Sequence, residues 1–105
     1  MNRFDRAIGR LQKYGWRKGH LGNYRDGFCA LGALRTQTHT TALRAEEDWA
    51  LRDAGQQLGL PVGPVGDVTG WIVRYNDTQS TSEEDIILLF KTASESLENA
   101  KEGKR

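Results

Sequence analysis

Cys29 is the residue through which this sequence could do covalent chemistry, because it is the chain's one cysteine and sits where a short apolar helix should begin, just after Gly27-Phe28. Backbone N–H groups at a helix start lower a thiol pKa and can hold an oxyanion. His20 and His39 are possible bases, with Asn76 or Asp77 as a possible orienting group. These are the parts of a thiol hydrolase. The competing reading is structural: Phe28-Cys29-Ala30-Leu31 reads as core, and cysteine is among the most commonly buried residues. The expectation is a core cysteine, with no catalytic residue assigned. A metal centre built from His20, Cys29 and His39 matches no ligand spacing and lacks a second thiol. No metal and no cofactor are expected. The glycines at 15, 19, 22 and 27 are not followed by Gly-Lys-Ser/Thr, so no phosphate loop is read from them.

Asn76-Asp77 is the most suggestive polar pair. Asn and Asp commonly tie up loop backbone between helices. The functional alternative is a small polar pocket, with Trp16, Cys29, Gly32, Asn76 and Asp77 as its candidate residues. A second candidate surface is the basic stripe Arg3, Arg6, Arg10, Lys13 and Arg17. Lys18, His20 and Arg25 extend it, and Tyr14, Trp16 and Tyr24 lie nearby as possible stacking platforms. A solvated or self-paired face is the plainer reading of such a stripe.

These residues must be positioned by helices. Phe4, Ala7, Ile8, Leu11 and Tyr14 recur at helical spacing, which predicts a helix over 2–14, capped by Asn2 and ended by Gly15. Glycines break the stretch from Trp16 to Gly27, leaving room for one minimal hairpin turning at Arg25-Asp26-Gly27. A short buried helix is predicted over 28–36, with Gly32 admitting a neighbouring helix. A loop over 36–41 leads to a helix capped by Thr40 or Thr41 and ending near Leu58, with Trp49 and Leu51 on different faces. Gly59 to Gly66, with both prolines, reads as a stiff loop. Asp67 should cap a helix over 68–75, bearing Val68, Trp71, Ile72 and Tyr75 on one face, which Asn76-Asp77 then breaks. Thr81 and Glu84 suggest a capping box for a last helix whose core stripe is Ile86, Leu89, Phe90, Ala93, Leu97 and Ala100.

A chain of 105 residues is too short for two independent cores. The reading is a single helical domain over 1–100 with a frayed polar tail over 101–105. No apolar run approaches the ~20 residues of a membrane span. The start Met-Asn-Arg-Phe-Asp-Arg lacks the apolar stretch of a secretory signal, so the expectation is cytoplasmic, with no membrane partner. Net charge is +1, yet residues 1–44 hold nine Lys/Arg and two Asp/Glu while residues 45–105 hold six and twelve, about +7 against −6. Either the halves attract each other within one fold, or one face recruits a partner of opposite sign.

Tyr14-Gly15-Trp16, Gly19, Cys29-Ala30-Leu31-Gly32-Ala33-Leu34, Tyr75-Asn76-Asp77 and the Thr81–Asp85 helix start together resemble a family of small proteins from actinobacteria and their bacteriophages. That family is a domain of unknown function. Its pattern reads Gly-Trp, a variable insert, Cys-x-x-Gly-Ala-Leu, a variable helix, Trp-Asn-Asp and a Thr/Ser-capped final helix. The likeness spans about Phe4 to Leu97. Tyr75 stands where the family usually shows Trp, and the insert between Trp16 and Cys29 is short. The resemblance implies a phage or actinobacterial cytoplasmic origin and no activity.

The fold expected is all-α, a compact bundle of four to five helices with room for that hairpin, the last helix central and the 28–36 helix against it. The function expected is binding without catalysis, with a host protein as partner if the chain is phage-encoded. The alternatives are a small-ligand or thiol-enzyme site around Cys29 and Asn76-Asp77, and nucleic-acid binding through the first helix. The acidic half disfavours nucleic acid.

Overall fold

The computed structural model describes residues 1–19, 21–35, 42–64 and 67–101. It is mostly helical. Helix α1 spans Arg3–Tyr14, and Asn2 caps it in a reciprocal box with Asp5: the Asp5 amide donates to Asn2 Oδ1 at 3.0 Å and the Asn2 amide donates to Asp5 Oδ2 at 3.2 Å. Gly15 ends it with φ +97°, a left-handed conformation that glycine adopts without strain. Strands β1 (Gly22–Asn23) and β2 (Gly27–Phe28) pair antiparallel as the minimal hairpin. Gly15 and Arg17 bond the far edge of β2: Phe28 N donates to Gly15 O at 2.8 Å, and Arg17 N donates to Phe28 O at 3.0 Å.

Helix α2, Ala30–Ala33, is a single turn and shorter than the 28–36 expected. Phe28 is held in the hairpin, so Cys29 becomes the N-cap in extended geometry. Gly32 does admit a close neighbour, but the neighbour is the hairpin arm rather than a helix. A Cβ on Gly32 would sit 1.8 Å from the Leu21 carbonyl oxygen.

Helix α3 spans Ala45–Gln57 with Arg44 as N-cap, and the Glu47 carboxylate accepts from the Arg44 amide at 2.9 Å. Thr40 and Thr41 lie outside the described residues. Leu51, Ala50 and Ala54 are buried while Trp49 is exposed, and α3 meets both α5 and α4. Helix α4, Val68–Asp77, runs through Asn76 and Asp77 instead of breaking before them. Asp67 holds the N-cap position without a side-chain cap bond.

Helix α5, Glu83–Lys101, is the longest element. Its reciprocal start is made one residue later than the sequence pattern suggested. The Ser82 amide donates to Asp85 Oδ2 at 2.8 Å, and the Asp85 amide donates to Ser82 Oγ at 3.3 Å. Ala100 is exposed, so the core stripe stops at Leu97; Lys101 is the last residue of α5, and 102–105, the rest of the expected tail, lie outside the described residues.

Helix α5 packs on α3 and α1, whereas α2 lies against α1, α4 and β2. The expected pairing of α2 with α5 is thus replaced by pairing with α4. Trp71, Phe4, Phe90, Leu11, Leu34, Leu51, Ile72, Ile86 and Leu89 are fully buried. Together with smaller side chains they form one core. No helix among the described residues is long and apolar enough to cross a membrane.

Candidate functional site

Trp16, Cys29, Asn76 and Asp77 come from three different segments, and the fold brings them together. Asn76 is the hub. It is completely buried on α4, and its Oδ1 accepts from Trp16 Nε1 at 2.6 Å and from the Ala30 amide at 2.9 Å. Its Nδ2 donates to Arg17 O at 3.1 Å and to Asp77 Oδ1 at 3.0 Å. Each bonding position of the amide group is therefore filled. One side chain ties the connector after α1, the start of α2 and the end of α4 together. Asp77 Oδ1 also accepts from the Gly19 amide at 2.9 Å, fixing the next stretch of the connector.

Cys29 is buried, and its Sγ accepts from the Gly32 amide at 3.4 Å as the N-cap of α2. Burial pushes the thiol up from its ordinary value; the Gly32 and Leu31 backbone N–H groups oppose this, and the Asp77 carboxylate adds a smaller upward push. Burial therefore outweighs the helix start, and the thiol stays protonated at neutral pH. The Ala30 amide is spent on Asn76 and the Gly32 amide on the sulfur itself. Two of the N–H groups an oxyanion would need are already engaged. His20 and His39, the possible bases, lie outside the described residues. Among the described residues no His/Cys/Asp/Glu group is arranged to hold a metal ion.

Beside this knot is a cavity of about 190 Å³ lined by Gly19, Leu21, Cys29, Val73, Asn76 and Asp77. Gly32 does not line it but makes it possible, by letting the Leu21 backbone lie against α2. Leu21 and Val73 were not legible as wall residues. Leu21 sits in the broken stretch, and Val73 falls off the apolar stripe of α4.

The basic stripe of α1 divides. Arg3 is buried, and its guanidinium donates to Leu34 O at 2.8 Å, Ala42 O at 2.6 Å and Glu47 Oε1 at 3.1 Å. Arg10 is half-buried and donates to the carbonyls of Ala33 and Arg35. Both stitch the end of α2 to α1. Arg6 and Lys13 remain exposed, and Arg17 is half-buried, 3.9 Å from Asp26.

Lys13 and Arg17 lie by the hairpin, where Tyr24 is 64% exposed at the turn. Its ring is nonetheless fixed edge-on against Tyr14 at 4.8 Å and Phe28 at 5.3 Å. The Lys13 ammonium lies 5.3 Å from the Tyr14 ring centroid and that of Lys18 5.6 Å from Trp16. Lys18 also donates to Thr78 O at 2.7 Å and Gln79 O at 3.2 Å.

These contacts account for the Gly-Trp, Cys-x-x-Gly-Ala-Leu and Asn-Asp segments as one mutually bonded unit in a small helical protein. The chain belongs to a family of unknown function, DUF6197, whose model matches residues 2–96. No curated protein and no solved structure matches it.

Proposed function

We propose that this chain is a small binding protein without catalysis, which engages an acidic stretch of a partner protein through the edge formed by the hairpin and the end of α1. In a phage or actinobacterial setting, the partner would be a cytoplasmic protein, of the host if the chain is phage-encoded. The observation that supports this reading is the pairing of a fixed, exposed aromatic ring, Tyr24, with cations that carboxylates leave uncovered. Among the described residues, Lys13 and Arg25 have no carboxylate within ion-pair distance, and Arg17 has only Asp26 at 3.9 Å. Among the described residues, ion pairs that cross between the basic and acidic halves include Arg3–Glu47 at 3.1 Å and Arg44–Glu46 at 3.9 Å, and neither involves the hairpin edge. Rigid aromatic side chains ringed by cations are what partner surfaces favour as anchors. A field of one sign steers an oppositely charged partner into place.

The test is capture of a partner from host lysate at low and raised salt. A partner held by this edge is expected to be retained at ~50 mM salt and largely released at ~300 mM, where screening lengths fall below ~10 Å. Retention should also fall with Tyr24→Ser. A partner indifferent to both changes would remove the hairpin edge from the account.

A further inference from the structure

The cavity beside Asn76 offers a different chemistry from the basic edge. Its volume, about 190 Å³, equals about six water volumes at ~30 Å³ each. That is below the ~300 Å³ at which pockets for drug-sized ligands begin, so it has room only for a fragment or a single side chain. Leu21 and Val73 supply an apolar wall and Cys29 a protonated thiol. Asn76 contributes no free bonding position, since its oxygen and nitrogen each make two bonds. Asp77 is different: Oδ1 accepts from the Gly19 amide and from Asn76 Nδ2, while Oδ2 makes no hydrogen bond or ion pair among the described residues. Asp77 is exposed and lines the cavity, so it brings there a carboxylate oxygen with no partner among the described residues.

The backbone reinforces that sign. Asp77 is the last residue of α4, where unpaired carbonyls carry partial negative charge and favour cations. The fold already shows this preference nearby, because the Lys18 ammonium is drawn to the carbonyls of Thr78 and Gln79. Lys18 is the competing cation, but two of its three N–H groups go to those carbonyls and it makes no ion pair with Asp77 among the described residues.

We infer that this cavity is a binding site for a primary ammonium on a short alkyl stem, the stem against Leu21 and Val73 and the ammonium on Asp77 Oδ2. A free alkylamine and a partner's lysine side chain share that chemistry. The site is independent of the hairpin edge and stands or falls without it.

The probe is n-butylammonium, titrated into isotopically labelled protein and followed by amide NMR. Saturable shifts are expected at Gly19, Cys29, Val73 and Asp77, and none with n-butanol, which has the stem without the charge. Asp77→Asn keeps the oxygen that Gly19 and Asn76 bond and replaces the open oxygen by a donor. It should weaken binding at least about tenfold, the worth of one hydrogen bond to a charged group. Val73→Phe, which fills the cavity from α4, should abolish binding and decides the matter if the Asp77 variant fails to fold. Saturation by Nα-acetyl-lysine amide at lower concentration than n-butylammonium would assign the source to a partner's lysine. The opposite order would assign it to a free amine, and either order supports the site. Absence of saturable shifts, equal shifts with n-butanol, or undiminished binding by the folded variants overturns it.

Discussion

At the scale of single residues, Asn76 matters most, because two donors depend on its oxygen: the half-buried Trp16 Nε1 and the buried Ala30 amide. Asn76→Ala strands both and also frees Arg17 O and Asp77 from their donor. Each unsatisfied buried group costs about 1–3 kcal/mol, so a loss of at least ~2 kcal/mol in urea unfolding is expected. An effect below ~1 kcal/mol would mean that the knot does not hold the connector. Cys29 gives a pH signature. Its folded-state pKa is raised, so the unfolded chain loses its thiol proton first as pH climbs. The stabilising contribution is complete below the ordinary thiol value of about 8.5 and is lost as pH rises from there through the higher folded value. Cys29→Ser keeps an N-cap acceptor for the Gly32 amide and should flatten that part of the stability–pH curve. Tyr75, also raised by burial and then by Asp85, has the same sign at more alkaline pH and would remain in the variant.

At the scale of elements, the close approach of hairpin to helix is the constraint most open to test. Gly32→Ala puts a methyl where the Leu21 carbonyl stands, 1.8 Å away, so backbone must move. A loss of ~2 kcal/mol or more is expected, seen as a fall of roughly 8 °C or more in Tm. Ser82→Ala tests the α5 start more gently, at about 1 kcal/mol, whereas Thr81→Ala should leave that cap intact. The elements themselves were largely legible, because stripes such as Phe4–Ala7–Ile8–Leu11 repeat at the helical period whatever surrounds them. Boundaries were less so. Phe28 and Cys29 carry an apolar pattern that suits helix or strand, and only the bonds of Phe28 to Gly15 and Arg17 decide it. Asn76 reads locally as a turn-former. It lies inside α4, where donors from two other segments satisfy its side-chain oxygen, a setting no local pattern reveals. Of the candidate pocket residues, Cys29, Asn76 and Asp77 line the cavity and Trp16 and Gly32 do not, while its apolar wall, Leu21 and Val73, depends on tertiary placement.

At the scale of the whole molecule, charge is segregated along the chain, but not every cation belongs to the surface. Arg3 reads as part of an exposed stripe, yet its guanidinium joins α1 to the end of α2 and to Glu47 of α3. Arg3→Ala should therefore cost stability, about 2–4 kcal/mol for breaking a buried, hydrogen-bonded charge, whereas Arg6→Ala on the exposed side should stay within ~0.5 kcal/mol. Chemical denaturation of the two variants side by side checks this. The partner surface proposed is the hairpin edge with Tyr24, Lys13 and Arg25, all exposed. The most direct test is affinity capture from host lysate by the wild-type chain, by a Lys13→Glu/Arg25→Glu variant, and by a Glu84→Lys/Glu95→Lys control on the exposed side of α5, read by mass spectrometry. One partner is expected to be held by the wild type and the control and lost with the double reversal at unchanged Tm. The same partner held equally by all three, or lost only with the α5 control, would contradict it.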